Sequence, residues 1–431
     1  MKENWIETKL GNICDFVGGG TPSKKRSDFW GGEINWASIK DLKGSYLHNT
    51  INKITEQGLK GSSANLAHPD EIILATRINP GRPIYSKITT AINQDLKVVR
   101  PKTEVVSKFI FYLLKSNENK IIKISSGTTV LGVSLVNLRE VPVFFPPLPI
   151  QRAIVAKIEQ LFSELDNGIQ NLQQAKEKLT VFRQAVLKKA FEGELTKEWR
   201  KKNKSSCSEK WSISSFGEIC DFKGGGTPSK KNTDYWNGDL PWASIKDIKG
   251  DYLVKTQDKI TELGYENSSA NIAEAGEIII GTRINPGRPI FSKIRTAINQ
   301  DLKVVKPKID LNTTFLFYLF KEKENDILKV SSGTTVLGIN LNNLREIEIH
   351  IPNSVEEQQQ IVQEIESRLS VCDEMEKSIE SSLKKAEALR QSILKKAFEG
   401  ELLTEKEIDQ CKQEPDWETA EELLKRIEKE K

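Results

Sequence analysis

Histidine and cysteine are scarce in this sequence of 431 residues. The three histidines are His48, His68 and His350, and none of them aligns with another when the two internal repeats described below are superposed. A histidine-based acid–base or metal site present in both repeats is therefore excluded. The five cysteines form no Cys-x-x-Cys pair and their number is odd, which argues against a disulfide framework and against a zinc site.

Long apolar runs and a strong charge imbalance are also missing. No apolar run approaches the roughly 20 residues that a membrane helix needs, and the N-terminal residues lack the apolar stretch of a secretory signal. We therefore expect a cytoplasmic protein without membrane association. The net charge of +4 is too small to indicate nucleic-acid binding by itself. Any argument for DNA binding must depend on individual residues.

The segment GGGTPSKK occurs twice, at 18–25 and at 224–231. A phosphate-binding P-loop needs a glycine, four further residues and then Gly-Lys-Ser/Thr. Here Ser23 stands where the second glycine should be, Lys24 is followed by Lys25, and Pro22 removes a backbone donor. The spacing excludes a nucleotide loop and favours a flexible Gly-rich turn on a domain surface.

The two copies of this segment belong to a duplication of almost the whole chain. The offset is 206 residues and becomes 207 near residue 150. Residues 71–102 match residues 277–308 at 27 of 32 positions. With two domain-sized copies, this is a duplication rather than a solenoid of short repeats.

Each repeat begins with a segment that predicts a compact α+β domain, over roughly 1–150 and 207–356. Short β-rich runs such as EIILAT, KVVRP and VPVFF alternate with Gly/Pro/Asn turns, and SKFIFYLLKSNEN is helical. The second part, 151–195 and 358–402, has no proline and has apolar residues at heptad spacing. The heptad residues are Ile158, Leu165, Leu172, Leu179 and Val186, then Ile365, Cys372, Ile379, Ala386 and Ile393, with Leu161, Ala175, Phe182, Met375 and Leu389 interleaved.

These stripes predict two helices of about 60 Å, from about 40 residues at 1.5 Å each, which pack against each other. Antiparallel packing would relate the repeats by a pseudo-two-fold axis, whereas parallel packing would place both α+β domains at one end. The periodicity alone leaves both arrangements open.

No candidate active site is found. Cys14 and Cys220 correspond in the two repeats, but their apolar context is typical of buried thiols rather than of nucleophiles. FPPL at 145–148 is similar to the catalytic loop of amino-methyltransferases, yet Phe145 cannot accept a hydrogen bond from a target amine. There is no Gly-rich turn of the type that binds a nucleotide-like cofactor.

Both repeats instead retain cationic, amide and hydroxyl side chains on turn-rich segments. Arginine contacts guanine, asparagine and glutamine contact adenine, and lysine or hydroxyl groups hold phosphates. The residues that we assign to DNA binding are Lys24, Lys25, Lys40, Arg77, Asn79, Arg82, Asn93, Gln94, Thr128 and Thr129, with Lys230, Lys231, Lys246, Arg283, Asn285, Arg288, Asn299, Gln300, Thr334 and Thr335 in the second repeat. The turn TRINPGRP, identical at 76–83 and 282–289, is the strongest single candidate.

Four tryptophans lie near these lysines in the sequence, and they have two interpretations. Their rings could stack on bases. Tryptophan beside alternating apolar residues is more often part of a core. The four are Trp30, Trp36, Trp236 and Trp242.

Taken together, GGGTPSKK, WASIKD, TRINPG, AINQDL, SGTTVLG and the helix ending AFEGEL resemble the DNA specificity subunits of type I restriction-modification systems. The resemblance covers nearly the whole chain. It implies two target-recognition domains that each contact half of a bipartite site in double-stranded DNA. It also implies an antiparallel pair of spacer helices that docks two methyltransferase subunits. S-adenosylmethionine, and ATP with magnesium, would belong to the methyltransferase and restriction/translocase subunits, while this chain would be non-catalytic, with no cofactor and no metal.

On this resemblance we expect the following order of segments: target-recognition domains at 1–150 and 211–356, spacer helices at 151–200 and 357–403, a linker at 201–210 and a C-terminal helical tail at 404–431. The chain departs from the family at the start of the spacer helices, which commonly open with Pro-Leu-x-Glu-Gln. The first copy has Ile150 in place of glutamate, and the second keeps Glu357 without the prolines.

Because the two repeats are so similar, we expect two nearly identical half-sites in inverted orientation around a nonspecific gap. Two of the aligned positions that differ between the repeats, Arg26 against Asn232 and Thr89 against Arg295, are candidates for a difference of one base between the half-sites. Two other classes of function are alternatives: a stand-alone DNA-modifying enzyme, for which cofactor motifs are missing, and a coiled-coil assembly protein without DNA contact.

Overall fold

The computed structural model describes residues 4–127, 130–203, 211–333 and 337–429. These residues divide into two compact units. Unit 2 runs from Gln173 to Glu380, and unit 1 contains the residues before Gln173 together with those after Glu380. Within the described ranges, no helix combines the length and the apolar character that a membrane span requires.

Unit 1 is a mixed α+β unit with three sheets. Its strands are β1 (Ile6–Lys9), β2 (Cys14–Gly18), β3 (Trp30–Ala37), β4 (Tyr46–Leu47), β5 (Asn52–Ile54), β6 (Leu66–Ala67), β7 (Ile72–Ala75), β8 (Pro83–Ser86), β9 (Thr90–Ile92), β10 (Leu96–Pro101) and β11 (Pro142–Phe145). The sheet orders are β2-β10-β7-β8-β4, β5-β3-β9-β6 and β1-β11. Strands β3 and β9 pair in parallel, as do β4 and β8, while the other pairs are antiparallel.

Unit 2 repeats this topology strand for strand. Its strands are β12 (Ser212–Ser215), β13 (Cys220–Gly224), β14 (Trp236–Ala243), β15 (Tyr252–Leu253), β16 (Asp258–Ile260), β17 (Asn271–Ala273), β18 (Ile278–Gly281), β19 (Pro289–Ser292), β20 (Thr296–Ile298), β21 (Leu302–Pro307) and β22 (Glu348–Ile351). The corresponding orders are β13-β21-β18-β19-β15, β16-β14-β20-β17 and β12-β22. The prediction of two similar α+β domains is confirmed.

Helices pack against these sheets and connect them. They are α1 (Leu10–Ile13), α2 (Glu56–Lys60), α3 (Ser107–Lys123), α4 (Leu135–Arg139), α5 (Leu148–Phe191), α6 (Lys197–Lys202), α7 (Phe216–Ile219), α8 (Glu262–Glu266), α9 (Thr313–Glu322), α10 (Glu324–Lys329), α11 (Leu341–Arg345), α12 (Val355–Glu399), α13 (Glu405–Lys412) and α14 (Ala420–Lys429). Strand β7 forms the centre of the EIILAT run, and all four of its residues are buried. A continuous apolar run of this length is typical of a strand that is covered on both faces.

The long helices α5 and α12 contact each other within each unit. Interhelical ion pairs include Lys176–Glu380 at 2.8 Å and Arg183–Asp373 at 2.7 Å in unit 2, and Asp166–Arg390 in unit 1. In unit 2, rising residue numbers on α5 meet falling numbers on α12, so the helices run antiparallel. The antiparallel pair that the family resemblance implied is confirmed.

The seam between α5 and α12 is narrower than the sequence pattern suggested. Leu179 and Val186 of the heptad stripe are buried, whereas the interleaved residues Phe182, Met375 and Leu389 are about half exposed. A pair of helices buries only the residues that face the partner helix, and residues on the flank of the stripe stay outside unless a third element covers them.

Buried glutamines attach each long helix to its α+β domain. The Gln151 side-chain oxygen accepts a hydrogen bond from the backbone N–H of Val106 at 3.0 Å, and its amide nitrogen donates to the Pro146 carbonyl at 3.0 Å. In the second repeat, Gln358 accepts from the backbone N–H of Asn312 at 2.8 Å. These bonds tie the start of each long helix to the residue before α3 or α9.

The position before each glutamine shows what the replacement of glutamate by Ile150 changes. In unit 2, the buried Glu357 carboxylate accepts hydrogen bonds from Arg200 at 2.5 Å, Thr196 at 2.9 Å and Trp211 at 3.1 Å. In unit 1, Ile150 instead lines a small apolar cavity of about 10 Å³ with Trp5 and Leu403, which are the counterparts of Trp211 and Thr196. A polar pair in one unit is thus replaced by an apolar pair in the other.

Candidate nucleic-acid interface

The glycines of GGGTPSKK are required by packing inside the domain. A Cβ atom on Gly19 would lie 2.3 Å from the Asn93 carbonyl oxygen, and one on Gly20 would lie 2.2 Å from the Ser63 hydroxyl. The Gly20 N–H donates to the Ile92 carbonyl at 2.9 Å. The expected flexible turn is therefore a segment that is pressed against the domain backbone, and Gly225 and Gly226 have equally close contacts in unit 2.

The tryptophans hold the segment that carries the lysines. Trp36 is 6% exposed, and its indole N–H donates to the Gly20 carbonyl at 3.1 Å. The indole N–H of the half-buried Trp30 donates to the Ser23 carbonyl at 3.2 Å, and the two rings meet edge to face at 5.1 Å. Trp236 and Trp242 make the same contacts in unit 2. For Trp36 and Trp242, which are buried, the core interpretation holds.

An open cleft of about 540 Å³ lies beside these tryptophans in unit 1. Its lining residues are Lys24, Ser27, Trp30, Trp36, Ser38, Lys40 and Asn52. Lys24 and Lys40 are exposed, and no ion pair to either of them occurs among the described residues. Their charges are available for an external anion such as a DNA phosphate.

Sequence reasoning missed Asn52 as a member of this cleft. It lies opposite Trp36 in the antiparallel register of β3 and β5, and cross-strand neighbours project from the same face. Its counterpart, Asp258, lies opposite Trp242. When the seven cleft residues are compared with their counterparts in unit 2, this is the position where the functional group differs: an amide in unit 1 and a carboxylate in unit 2. The sequence signal for this position is that residues 45–61 and 251–267 differ more between the repeats than the neighbouring segments do, but only the strand register places Asn52 beside the lysines.

The TRINPGRP turn presents Arg77, Ile78 and Asn79 to solvent, one after another. The turn is anchored by the Thr76 N–H, which donates to the Asp95 carbonyl at 2.8 Å. The Arg77 guanidinium is 3.5 Å from the Asp95 carboxylate, and its side chain remains 57% exposed. The same turn in unit 2 places Arg283 at 3.6 Å from Asp301.

Long-range contacts bring the predicted segments onto one surface in each unit. The Thr21 hydroxyl bonds to the side chain of Gln94, whose neighbour Asp95 pairs with Arg77. Arg77 also forms a β-bridge with Gly132, at the end of the SSGTTVLG segment. Unit 2 repeats these contacts through Thr227–Gln300, Arg283–Asp301 and Arg283–Gly338. We call the two copies the cationic surfaces.

Two predicted residues point inward rather than to this surface. Asn93 and Asn299 are each 5% exposed. The Asn93 side-chain oxygen accepts from the Asp95 backbone N–H at 3.1 Å, and its amide donates to the Asp95 carboxylate at 3.1 Å. Their position indicates that these asparagines shape the turn below Arg77 and Arg283.

The other predicted residues have three placements. Those exposed to solvent are Lys24, Lys25, Lys40, Arg77, Asn79, Gln94, Lys230, Lys231, Lys246, Arg283, Asn285 and Gln300. Arg82 and Arg288 are half-buried. Thr128, Thr129, Thr334 and Thr335 lie outside the described residues.

The two arginines proposed to cause a one-base difference between the half-sites form ion pairs with carboxylates of their own unit. Arg26 forms a bidentate pair with Asp28, with nitrogen–oxygen distances of 2.8 and 2.6 Å. Arg295 lies 3.5 Å from Glu262 and 3.7 Å from Glu274. A base contact by either arginine would have to compete with these carboxylates.

The two cysteines that correspond in the repeats are not activated thiols, and the described residues show no metal cluster. Cys14 and Cys220 are buried, and burial raises the pKa of both thiols, that of Cys220 to about 12. No group of three His, Cys, Asp or Glu side chains in the described ranges is placed to hold a metal ion. The geometry is that of a binding surface.

Comparison with known proteins gives one family. Residues 2–174 and 208–385 match the type I restriction modification DNA specificity domain. The chain is 31% identical to the type I restriction enzyme MjaIX specificity subunit of Methanocaldococcus jannaschii, over 94% of this chain and 95% of that protein. It is 28% identical to the EcoDI specificity subunit of Escherichia coli, over 69% and 70%.

Two solved structures have a similar fold. One is a chain from a structural study of complex assembly and conformational transition of the type I R-M system. It superposes with a TM-score of 0.70 at 21% identity, covering 93% of this chain and 98% of that one. The HsdS subunit from Thermoanaerobacter tengcongensis superposes with a TM-score of 0.57 at 20% identity, covering 93% and 97%.

Proposed function

The chain belongs to the type I restriction-modification DNA specificity family, and from this premise we propose that each unit recognises one half of a bipartite site in double-stranded DNA. It is a specificity subunit, the non-catalytic recognition component of such a system. The proposal concerns how this chain's own residues divide that recognition between the two units.

One observation carries the proposal: the same cationic surface is built twice. In each unit, exposed lysines, the exposed arginine of the TRINPGRP turn and an exposed glutamine are gathered by long-range contacts. Lysine and arginine at such a surface position a duplex through its phosphates, while arginine and amide side chains can contact base edges. Two such surfaces suit two half-sites.

We propose that the half-sites have nearly the same sequence, in inverted orientation around a gap that is not recognised. This rests on the agreement between the repeats, which is complete over TRINPGRP. Methylated adenines mapped in a host genome that carries the chain with its methyltransferase subunits test it. Two related, inverted half-sites are expected, and half-sites with unrelated sequences would contradict it.

The long helices supply the proposed docking surface for partner subunits. On the unit 2 parts of these helices, Phe182 of α5 and Met375 of α12 are large apolar residues that stay about half exposed. Large apolar residues that stay exposed to solvent are typical of protein interaction sites when they form a patch. We propose that methyltransferase subunits dock there and that S-adenosylmethionine, ATP and magnesium are bound by the methyltransferase and restriction/translocase subunits.

DNA binding is tested by changing Arg77 and Arg283 together to alanine. Each arginine that contacts a base or a phosphate contributes about 1–3 kcal/mol, so affinity for the specific duplex should fall at least about tenfold. If both contact phosphates, the slope of log affinity against log salt should also decrease by about two. Electrophoretic shift of duplex DNA, with the chain bound to its methyltransferase partner, measures both effects.

A matched control removes two charges elsewhere. Lys188 and Lys395 are exposed on the long helices, and within the described ranges each forms an ion pair with the glutamate four residues later, Glu192 and Glu399. Their double alanine variant should bind the duplex with nearly the affinity of the wild type. Equal loss in both double variants would show that bulk charge, rather than the cationic surfaces, determines binding.

A further inference from the structure

An isoleucine stands in a costly backbone conformation at the tip of each TRINPGRP turn. Ile78 has φ of 70° and Ile284 has φ of 68°. This left-handed region is disfavoured for L-residues, and a β-branched residue there is a true outlier. Among the described non-glycine residues, the others with positive φ are Asp70, Glu104 and Asn237.

Local packing does not account for these isoleucines. Ile78 is 50% exposed and Ile284 is 55% exposed, and neither belongs to a hydrophobic core of its unit. Asparagine adopts the left-handed conformation at lower cost, and Asn79 is the very next residue. The chain nevertheless has isoleucine at this position in both repeats.

The surrounding structure holds the turn rigidly in this shape. The Ile78 N–H donates to the Leu131 carbonyl at 2.9 Å, and the Gly81 N–H donates to the Ala75 carbonyl at 2.9 Å. Gly81 has φ of 92°, and a Cβ atom there would lie 2.9 Å from the Ile121 side chain. Strain of this kind persists only where the surroundings determine the backbone, and it is concentrated at functional sites.

The neighbours of the isoleucine indicate what it contacts. Arg77, Ile78 and Asn79 are all exposed and project from one fixed turn of the cationic surface. In the major groove, arginine suits guanine, asparagine suits adenine, and an apolar side chain suits the 5-methyl group of thymine. The turn thus presents side chains for three different base edges within three residues.

We propose that Ile78 and Ile284 contact the 5-methyl group of a thymine, one in each half-site. The inference rests on the proposed function, because it needs the half-sites to be bound by the cationic surfaces. It adds an apolar, base-selective contact to the polar contacts assigned above. The left-handed backbone fixes the direction in which the isoleucine projects.

Replacement of thymine by deoxyuridine tests the contact directly, because it removes only the methyl group. The probe is a duplex that carries the motif found by methylation mapping, bound by the full chain in complex with its methyltransferase subunits. Each thymine in turn is replaced. At one thymine in each half-site, the wild type should lose about four-fold in affinity, the value for burial of one methyl group.

The double variant Ile78→Ala with Ile284→Ala removes the protein side of the proposed contact, as deoxyuridine removes its DNA side. It should bind the thymine duplex about fifteen-fold more weakly than the wild type, which is four-fold for each half-site. Its affinity should not change when the same two thymines become deoxyuridine. If the variant lost as much affinity as the wild type on that replacement, the isoleucines would not contact the methyl groups.

Two controls separate a contact from a loss of folding. Ile213 is 70% exposed on β12, which belongs to a different sheet from β18 and β19 on either side of the turn, and Ile213→Ala should leave the deoxyuridine effect unchanged. Ile78→Asn relieves the backbone strain, so its thermal midpoint should equal or exceed that of the wild type while the thymine preference in its half-site is lost. A large fall in the midpoint would show that Ile78 is a structural residue.

The outcomes distinguish this inference from the proposed function. If the wild type showed no specific binding to the mapped motif, the proposed function would fail. If it bound specifically but no thymine replacement weakened binding, only the thymine contact would fail. Thymines made reactive to permanganate by the wild type, without a deoxyuridine effect, would show that the isoleucines unstack bases instead.

Discussion

Replacement of Glu357 by isoleucine should destabilise unit 2, although the same position in unit 1 is Ile150. In unit 2, Glu357 is 1% exposed, and its carboxylate accepts hydrogen bonds from Arg200, Thr196 and Trp211. Isoleucine would leave all three donors without this acceptor. The matched experiment changes Thr196 to leucine as well, which reproduces the apolar pair of unit 1.

The expected loss in the free energy of unfolding depends on how deeply the hydrogen-bond partners of Glu357 are buried. Removal of one member of a buried ion pair costs about 3–5 kcal/mol. The Arg200 side chain keeps 20% of its surface exposed and can partly recover water, so we expect the lower end, about 3 kcal/mol. Thr196 is fully buried, and its hydroxyl without the carboxylate adds about 1 kcal/mol.

Denaturant unfolding followed by tryptophan fluorescence measures both variants in the full chain. Glu357→Ile should lower the free energy of unfolding of unit 2 by about 4 kcal/mol. The added Thr196→Leu should restore about 1 kcal/mol, because it removes a hydroxyl that has lost its acceptor and fills the space with apolar contact, while Arg200 loses its 2.8 Å hydrogen bond to that hydroxyl. The reasoning is refuted if the single variant costs less than about 1 kcal/mol, or if the second substitution lowers stability further.

Three further predictions concern other parts of the chain. Asn52→Asp gives the first cleft the carboxylate of Asp258, so one position of its half-site should change from adenine towards cytosine, whose amino group donates a hydrogen bond to a carboxylate; an unchanged methylation motif would contradict this. Gly20→Ala should destabilise unit 1 by at least about 2 kcal/mol in denaturant unfolding, because the new methyl overlaps the domain backbone; normal stability would show that the segment yields easily. The Thr404 backbone N–H, and then Lys157, lower the pKa of Glu407 from 4.5 to about 2. A lowered folded-state pKa stabilises the fold above pH 4.5, and this contribution is lost as the pH falls to about 2. Glu407→Gln should therefore unfold at lower denaturant than wild type at pH 7, with the difference vanishing near pH 2; a constant difference would show that the charge is not the cause.

The sequence by itself determined the duplication, the two α+β domains and the long helices. Each of these follows from local periodicity or from direct comparison of the repeats, which need no knowledge of the fold. The strands β7, β10 and β11 and the helix α3 lie where the sequence patterns indicated. The arginine turn was also recognisable, because TRINPGRP is identical in both repeats.

Only the tertiary structure decided which polar residues remain on the surface. Asn93 is in the same sequence segment as Gln94, yet its side chain is buried under the turn while Gln94 is exposed. Likewise, the left-handed backbone of Ile78 and the partners of Glu357 depend on segments that are distant in the sequence. Burial and hydrogen-bond partners are long-range properties, so the residue types and their spacing could nominate these positions but could not assign their roles.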